Sequence, residues 1–378
     1  SSPDIDLIVC NVDAAKFSEN LADKLNAHFI ELDKTNNIYR IVLEDKINYF
    51  DITSPVENDF ETDIKRRDLT INAIAFDINE NKFVDLTGGI DDIKNRVIRG
   101  ISEKNFEDDP LRLLRIFRFY SKTGFKIDES LIEISEKYAK RINEPAKERI
   151  TVELLKMFEG KYCDEALLKL DESGISEELL PIYKEVKKIP PNSHHHLDLF
   201  HHLVETVKQI QIIYENASDE IKEYLTKESF GSIKRIGLLK FAGFLHDIGK
   251  PSTWKIEEDT GRHRFIGHDI EGAKLVSPIL KDLKFSKKQT EYIKNLIKFH
   301  IYPSSMGSAP DVSEKAYMKF YRKADGFVID VIILAMADRL SARGEKVTED
   351  MVNENIKNLT NLLNRYLEVE GIKKNTMV

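Results

Sequence analysis

The chain has 378 residues, of which 41% are hydrophobic and 32% are charged. A typical domain has about 100–200 residues, so the length predicts two or three domains. No apolar run is long enough for a membrane span, and without a basic, apolar leader we expect no secretion. Two cysteines exclude a disulfide framework and a cysteine-rich zinc site, and they favour a reducing, cytoplasmic location.

The charge balance is 57 basic against 65 acidic residues, a formal net charge of −8. This balance argues against a protein coated with positive charge for indiscriminate nucleic-acid binding. A local basic groove stays possible, because net charge says nothing about where the charges lie.

The first hundred residues show the pattern of a mixed α/β domain. Residues 5–9 form a short run rich in β-branched side chains, residues 13–27 have helical spacing, and three strand-like runs follow at 28–32, 38–43 and 47–53. This predicts a small twisted sheet with helices on one side. From Asp109 onward nearly every segment has a helical pattern, and the two prolines within residues 189–193 predict a boundary. The fold class predicted is therefore α+β, an α/β head followed by an all-helical region.

Two carboxylates open the first strand. Asp4 and Asp6 are two residues apart, so both face one side of a strand. Like charges held so close repel unless a divalent cation lies between them, and hard oxygen ligands suit Mg²⁺. Asp51, a third acid in a strand of the same region, is a candidate to complete a catalytic site. The alternative is a pair of solvated acids at a strand end.

A second motif places two arginines beside an acid, with an asparagine following: Arg66, Arg67, Asp68 and Asn72. Arginine forks match phosphate oxygens, while Asp accepts from sugar hydroxyls and Asn can also donate. These residues predict nucleotide contacts. The alternative is an exposed charged turn before a helix.

A third motif covers residues 107–119. Asp109 and Pro110 are typical of a helix start. On the helical wheel the leucines and Phe117 gather on one side and the arginines on another, namely Arg112, Arg115 and Arg118. Such a stripe predicts contacts with phosphates or bases, and the alternative is a solvated cationic face.

The three motifs, in this order, resemble those of the class II tRNA nucleotidyltransferase and bacterial poly(A) polymerase family, and the resemblance covers residues 3–155. The segment 84–89, between the second and third motifs, also resembles this family. The resemblance implies a DNA-polymerase-beta-like head that adds nucleotides to an RNA 3′ end. The family also carries a glycine-pair loop just before the Asp-x-Asp strand, which helps to hold the triphosphate, and residue 1 of this sequence corresponds to a position after that loop.

By position, the resemblance implies Mg²⁺ ligands at Asp4 and Asp6. It implies ribose and phosphate contacts from the second motif. The incoming base would be recognised by a side-chain edge that includes Asp108, Asp109, Arg112 and Arg115. Arg118 and Arg149 would bind RNA, the latter in a segment that resembles a further family motif in the neck.

Nine of the ten histidines lie between His194 and His300. His246 and Asp247 follow a mostly apolar run, and imidazole beside carboxylate is a possible metal-ligand pair. Asp338 ends another apolar run, where a carboxylate is costly unless it is paired or metal-bound. The dipeptide alone is weak evidence, since His268 and Asp269 form a second copy.

In its context this pattern resembles the HD phosphohydrolase superfamily over residues 194–345. The resemblance implies that a divalent transition metal or Mg²⁺ is held by four ligands, His202, His246, Asp247 and Asp338. His268 and His300 would bind substrate phosphate or a second metal. A bound ion would activate water against a phosphate ester. The alternative is a helical scaffold with an inactive site. We expect His194–His196 to be a surface cluster and Cys163 a core residue.

These observations predict a nucleotidyltransferase head at 1–105, a helical neck at 106–190, and an HD-type domain with a helical tail at 191–378. The predicted function is template-independent addition of C, A or both, from CTP and ATP, to the 3′ end of tRNA, with an HD phosphohydrolase attached. Two alternatives stay open: a poly(A) polymerase, or an HD phosphohydrolase whose head only binds RNA. The sequence does not separate CCA, CC and A addition. The region beyond Val347 is expected to hold the RNA or a second subunit in a homodimer.

Overall fold

The computed structural model describes residues 4–193, 195–307, 312–324 and 326–376, without the side chains of Asp4 and of residues 371–376. The chain divides into two compact units, Ser1–Asn105 and Phe106–Val378. The three-part division predicted from the sequence stays a prediction. Within the described residues, no helix has both the length and the apolar character that a membrane span requires.

A four-stranded sheet in the order β1-β4-β3-β2 is the centre of the first unit. Its strands are β1 (Asp4–Ile8), β2 (His28–Asp33), β3 (Ile38–Val42) and β4 (Tyr49–Thr53). Strand β1 runs parallel to β4, while β2, β3 and β4 form an antiparallel meander. The other elements up to residue 108 are α1 (Ala14–Leu25), α2 (Phe60–Lys65), β5 (Ile74–Asp77), β6 (Lys82–Asp85), α3 (Gly89–Asn95), β7 (Val97–Ile98), α4 (Glu103–Asp108) and 3₁₀ turns at Val56–Asn58 and Thr70–Asn72.

The two faces of this sheet have different chemistry. Helix α1 starts at Asp13, whose side chain accepts from the amide of Lys16. It covers one face, where Ala22 packs with Ile41 and Ile52. Because side chains alternate along a strand, Asp6 and its neighbours in register lie on the opposite face. The predicted α/β head is confirmed, with one apolar face and one face that carries carboxylates.

The second unit is mainly helical. Its helices are α5 (Leu111–Thr123), α6 (Glu129–Tyr138), α7 (Lys147–Phe158), α8 (Cys163–Glu172), α9 (Ile175–Leu179), α10 (Tyr183–Val186), α11 (Leu199–Asn216), α12 (Asp219–Thr226), α13 (Arg235–Leu245), α14 (Lys250–Thr253), α15 (His268–Asp282), α16 (Lys287–Phe299), α17 (Ile301–Gly307), α18 (Glu314–Lys323), α19 (Val328–Ser341), α20 (Glu349–Thr376) and a 3₁₀ helix at Ala139–Asn143. Cys163 is buried, as predicted.

Short strands interrupt the helices at β8 (Lys126–Ile127), β9 (Lys255–Ile256) and β10 (His263–Arg264). Strands β9 and β10 pair as an antiparallel hairpin. The sequence predicted only helices here, because a two-residue strand is too short to show the alternation that identifies strands.

Helices α13 and α19 form the core of the helical unit. All residues of α13 are buried, and so are those of α19 from Val328 to Ala337. A helix that is buried on all sides needs neighbours all around it, and α11 packs against both. These three helices carry, or end at, the histidines and acids that the sequence marks as metal ligands.

A buried ion pair fixes α13 to α19. The carboxylate of Asp330 is fully buried and accepts from Arg235 Nη2 at 2.7 Å and Nε at 2.8 Å. It also accepts from the hydroxyls of Tyr224 at 2.6 Å and Tyr292 at 2.7 Å. One carboxylate therefore joins four helices, and it holds the two that lead to His246 and Asp338.

Replacing Asp330 with Asn should destabilise the helical unit strongly. The substitution leaves the buried Arg235 without its countercharge, a loss that typically costs about 3–5 kcal/mol. Urea denaturation followed by circular dichroism should show a clearly lower midpoint than for Asp259→Asn, a change at an exposed turn. Equal midpoints for the two variants would contradict the role assigned to this pair.

Candidate functional site

The carboxylate face of the first unit contains two of the predicted acids. Asp6 in β1 lies directly beside Asp51 in β4, and Asp51 lies opposite Arg40 in β3. Arg40 donates to both oxygens of Asp51 at 2.7 Å, so this acid is already neutralised by a neighbour. Asp4 pairs with Tyr49 through its backbone, and its side chain lies outside the described residues. The roles predicted for Asp4, Asp6 and Asp51 stay predictions.

The second motif follows α2 and leads into the 3₁₀ turn Thr70–Asn72, with Arg66 exposed and Asp68 buried. Asp68 is 4% exposed and accepts from Asn72 Nδ2 at 3.3 Å. Arg67 donates to the carbonyl of Asn72 at 3.2 Å, whereas Arg66 donates to the buried Asp63 at 2.7 Å. The structure brings Arg67, Asp68 and Asn72 together, while Asp63 pairs with Arg66 at 2.7 Å and lies 3.7 Å from Arg67.

Two glycines allow the segment 84–89 to support this turn. Gly88 has a φ of +82°, which favours glycine, and a Cβ on Gly89 would lie 2.2 Å from the carbonyl oxygen of Thr70. Asp85 caps the helix that follows by accepting from backbone amides. Although burial raises the pKa of Asp85, these N–H groups lower it below its usual value overall. Gly88 therefore supplies the left-handed turn, and Gly89 the close packing against the second motif.

Helix α5 begins one residue later than predicted, with Pro110 as its N-terminal cap. Asp109 still contributes, because its Oδ1 accepts from the amide of Leu111 at 3.3 Å. Its Oδ2 accepts from Arg149 Nη2 at 2.7 Å, so two predicted site residues meet in one ion pair. Asp108 is exposed and Arg112 is partly buried.

Two arginines of the predicted stripe point to one acid of α7. Arg118 Nε lies 3.1 Å from Glu153 Oε2, and Arg115 Nη1 lies 3.6 Å from Glu153 Oε1. Glu153 is only 7% exposed, so these pairs join α5 to α7. The stripe is thus not simply a solvated face, and its predicted contacts with nucleotide and RNA stay predictions.

The histidines and acids of the HD-like motif come together in the helical unit. His202, His246, Asp247 and Asp338 each offer a ligand atom, and these atoms lie within 4.8 Å of one another. His202 Nε2 is 3.2 Å from Asp338 Oδ1 and 3.4 Å from Asp247 Oδ2. His246 Nε2 is 3.3 Å from Asp247 Oδ2. Four residues separated by up to 136 positions therefore converge on one point, which we call the first cluster.

A second cluster shares Asp247. It consists of Asp247, His268 and His300, also with ligand atoms within 4.8 Å. Oδ1 of Asp247 lies 3.1 Å from His268 Nε2 and 3.6 Å from His300 Nε2, while Oδ2 faces the first cluster. The two oxygens of one carboxylate thus serve two sets of imidazoles.

Backbone carbonyls orient three of these imidazoles. His246 Nδ1 lies 2.7 Å from the carbonyl oxygen of Gly243. The corresponding distances are 2.7 Å from His268 Nδ1 to the carbonyl oxygen of Phe265 and 2.6 Å from His300 Nδ1 to that of Ile297. A carbonyl only accepts, so each Nδ1 carries the proton and each Nε2 of a neutral ring presents a lone pair. Metal-ligating histidines are typically held in this way.

Several ligand atoms of the two clusters lack ordinary hydrogen-bond partners. The Nε2 atoms of His202 and His246 are buried without a partner, as is Oδ1 of Asp247. His268 Nε2 and His300 Nε2 face each other at 3.3 Å, where two lone pairs repel unless a cation or a proton lies between them. Metal–nitrogen bonds of about 2.1 Å place neighbouring ligand atoms roughly 3.0–3.4 Å apart. The donor sets of both clusters therefore fit divalent metal ions.

Electrostatics also favour a cation here. Burial raises the pKa of Asp247, but Lys250 and His246 hold it well below the usual range. Burial lowers the pKa of His246, but Asp247 and Asp338 raise it to about 10. The two carboxylates therefore stay ionised and require positive charge, which a proton or a divalent ion supplies.

Glycine and lysine residues of the segment after His246 complete the site. A Cβ on Gly249 would lie 2.1 Å from the carbonyl oxygen of His268, so only glycine lets the start of α15 approach Asp247. Lys250, 7% exposed, places Nζ 2.5 Å from Asp247 Oδ2. No role was predicted for Lys250 from the sequence, although its spacing of three residues from Asp247 could have identified it as a neighbour on one turn.

The expectation of a surface cluster at residues 194–196 is wrong for His195. Its ring packs edge-on against that of His202, with centroids 4.9 Å apart. Burial, with Lys250 nearby, lowers the pKa of His195 to about 2. His196 is exposed, and His194 lies outside the described residues.

Three family models match the chain. Residues 1–99 match the poly A polymerase head domain, residues 124–187 the probable RNA and SrmB-binding site of polymerase A, and residues 199–343 the HD domain. The resemblances found in the sequence are confirmed by these matches.

Relatives and solved structures agree with the models. An A-adding tRNA nucleotidyltransferase of Deinococcus radiodurans is 31% identical over 342 residues, covering 89% of this chain and 72% of the relative. A CC-adding tRNA nucleotidyltransferase of Thermus thermophilus is 26% identical, covering 90% and 73%. The fold resembles that of a Thermotoga maritima CCA-adding enzyme complexed with tRNA, with a TM-score of 0.59 at 21% identity, covering 96% and 73%. The chain therefore belongs to the tRNA nucleotidyltransferase family with a poly(A) polymerase head, and it contains an HD domain.

Proposed function

We propose that this protein is a template-independent nucleotidyltransferase that adds C, A or both, from CTP and ATP, to the 3′ end of tRNA. The observation that carries this proposal is the 31% identity with an A-adding tRNA nucleotidyltransferase across 89% of the chain. Relatives that act on tRNA favour this function over a general poly(A) polymerase. The cytoplasmic location and the homodimer predicted from the sequence remain part of the proposal.

In the head, Asp4 and Asp6 would hold Mg²⁺, for which carboxylate oxygens are suitable ligands. Such ions supply charge neutralisation to the triphosphate and acidity to the RNA 3′-hydroxyl. The hydroxyl oxygen forms a bond to the α-phosphorus while the bond to pyrophosphate breaks, so the protein needs no covalent nucleophile. Asp51, held by Arg40, contributes to the same carboxylate face.

The residues around the nucleotide have separate proposed roles. Arg67, Asp68 and Asn72, with Arg66 beside them, would hold the ribose and phosphates. The incoming base would be recognised by Asp108, Asp109, Arg112 and Arg115. Arg149 would bind RNA together with Arg118, and its ion pair of 2.7 Å with Asp109 also positions that carboxylate.

An extension assay tests this function. We expect Mg²⁺-dependent addition from CTP and ATP to tRNA ending before CCA or ending in CC, read at single-nucleotide resolution. A stop after CCA, after CC alone or after A alone would each identify one member of the proposed class. A long ladder on unstructured RNA would identify a poly(A) polymerase instead. No addition to any of these RNAs would contradict the proposal.

Replacing Asp6 with Asn should abolish nucleotide addition while hydrolysis at the HD site continues. The amide removes a negative charge from the proposed Mg²⁺ site, and losing such electrostatic stabilisation typically costs at least ~100-fold in rate. Single-turnover extension of tRNA with CTP measures the loss. Glu31→Gln, an exposed change in the same sheet, is the matched control. Addition at the normal rate by Asp6→Asn would contradict the metal assignment.

We further propose that the HD domain is a metal-dependent phosphohydrolase with two ions. His202, His246, Asp247 Oδ2 and Asp338 would hold one, and Asp247 Oδ1, His268 and His300 the other. Imidazole ligands suit Fe²⁺ or Zn²⁺ better than Mg²⁺, and the carboxylates of the same sets also suit Mn²⁺. Ions bound there supply Lewis acidity to a phosphate ester and to water.

The chain's own groups would complete that hydrolysis. Lys250 Nζ, beside Asp247, would bind a phosphate oxygen of the ester. Water oxygen bonds to phosphorus, the bond to the alcohol oxygen breaks, and the proton lost by water is taken up by the departing alcohol. The inactive-scaffold alternative is disfavoured because the buried Nε2 atoms of His202 and His246 have no other partner.

Two adjacent histidines of α11 allow a matched test. His202 is buried in the first cluster, whereas His201 is exposed and hydrogen-bonded to Asp198. His202→Ala should lose about one Mn²⁺ per chain and all Mn²⁺-dependent hydrolysis of p-nitrophenyl phosphate, because a ligand is removed. His201→Ala should keep both, and nucleotide addition should continue in each variant. Equal metal content and hydrolysis in the two variants would identify an inactive scaffold.

A further inference from the structure

The turn between α15 and α16 carries a concentration of positive charge. Four lysines lie among the eight residues 281–288, together with one acid, Asp282. All four lysines are exposed, in a chain whose net charge is −8. Asp282 pairs instead with Lys147 of α7, at 3.1 Å, so it does not neutralise the lysines beside it. We call residues 281–288 the lysine turn.

The backbone of the lysine turn is fixed at several points. Leu283 and Phe285 are buried, and the ring of Phe285 stacks on that of Phe241 in α13, with centroids 5.3 Å apart. The carbonyl of Leu283 accepts from the hydroxyl of Thr151 in α7. Ser286 caps the start of α16 through a capping box. The lysine side chains therefore extend from a rigid support.

Local physical chemistry disfavours a lysine at three of the four positions. Lys284 has a φ of +59°, a left-handed conformation at the end of α15 that favours glycine. Lys287 and Lys288 lie in the first turn of α16, where the helix dipole disfavours positive charge and no acid is present. Lys281, in the last turn of α15, is the one lysine of the four whose charge the dipole favours.

Contacts within the protein explain only one of these lysines. Lys288 Nζ donates to the carbonyl of Ser229 at 3.2 Å. The other three form no ion pair with any residue that the structure describes. A left-handed lysine also occurs at Lys46, so that conformation by itself marks no site. Several positive charges at unfavourable positions of one turn, without partners, indicate instead a ligand outside the chain that requires them.

The surface of the lysine turn fits the backbone of an RNA duplex. Every residue from 281 to 298 is described, and no large apolar side chain among them is exposed, in contrast to surfaces that bind proteins or membranes. Exposed aromatic rings, on which single-stranded bases stack, are absent from the same residues. Lysine ammonium groups contact phosphates and read no sequence.

The lysine turn also adjoins a helix that is proposed to bind RNA. Helix α7 contacts the turn through Thr151 and Lys147, and it carries the exposed Arg149. This helix lies within residues 124–187, which match the probable RNA and SrmB-binding site of polymerase A. A duplex in contact with Arg149 would therefore pass close to the lysine turn.

We propose that the lysine turn binds the phosphate backbone of double-stranded RNA and extends the RNA-binding surface of α7 into the HD domain. The duplex is an arm of the tRNA substrate, so this inference rests on the proposed function. His268 begins α15 and His300 follows α16, so the turn lies at the opposite ends of these helices, about 20 Å of helix away. The surface is therefore separate from both metal clusters.

Two glycine substitutions form a matched test. Lys284→Gly and Lys46→Gly each remove one positive charge from an exposed, left-handed position. Lys284→Gly should raise the Kd for fluorescein-labelled tRNA about fivefold at about 0.1 M salt, and should make the dependence of log Kd on log salt shallower by about one. Lys287→Gln should have the same effect, and Lys46→Gly should change neither quantity. Fluorescence anisotropy with the full-length protein measures both.

Stability separates a role in binding from a role in folding. Glycine suits the left-handed conformation, and glutamine removes a charge that the dipole of α16 disfavours. Neither Lys284→Gly nor Lys287→Gln should therefore lower the midpoint of urea denaturation. A lower midpoint together with weaker tRNA binding would overturn the proposal in favour of a structural role.

Further outcomes distinguish this surface from the proposed function. Unchanged tRNA affinity in both variants, with nucleotide addition intact, would overturn the lysine turn alone and leave an acidic protein as its ligand. Weaker binding by the variants of a protein that adds no nucleotide would support the surface and contradict the proposed function. An equal loss of affinity for unstructured oligo(A) would overturn the assignment to a duplex. No binding of tRNA by the unaltered protein would overturn both proposals.

Discussion

Asp247 is buried in the middle of the helical unit, and a buried carboxylate costs several kcal/mol unless positive charge surrounds it. Its oxygens face different imidazoles, Oδ2 towards His202 and His246, and Oδ1 towards His268 and His300. Helices α11, α13, α15 and α16 must therefore all bring a histidine to this one group. The absent side chain of Gly249, which allows α15 to approach, is a consequence of the same requirement.

A second buried aspartate in the same unit shows what a purely structural carboxylate is like. Asp330 accepts from an arginine and two tyrosines, so its oxygens are satisfied by fixed donors. Asp247, by contrast, has an oxygen without a hydrogen-bond partner and faces imidazole nitrogens that lack one too. Buried polar atoms are nearly always paired, so unpaired atoms that converge mark a place for a ligand. Both aspartates are buried and charged, so the unpaired oxygen of Asp247 is what distinguishes a ligand site from a structural ion pair.

Local sequence pattern predicted much of this architecture because several signals act over short distances. Alternation along the strands placed Asp6 on one face, and the apolar runs before His246 and Asp338 indicated buried helices with ligands at or near their C-terminal ends. Contacts between side chains on different helices or strands could not be predicted from the sequence. Glu153, which pairs with Arg115 and Arg118, lies on another helix, and Arg40 meets Asp51 only through strand pairing. His195 was misjudged because its environment depends on how the proline-containing segment folds back onto His202.

The two proposed centres differ in the chemistry of their ligands. The head offers carboxylates alone, which favour a hard ion such as Mg²⁺ that also binds triphosphates. The HD domain offers four imidazoles and two carboxylates, a set that favours transition metals. Because each ligand set selects a different kind of ion, one chain can hold a nucleotidyltransferase centre and a hydrolase centre without competition for the same metal. If both proposed centres hold these ions, the supply of transition metal would set the hydrolase activity alone, while nucleotide addition would depend on Mg²⁺.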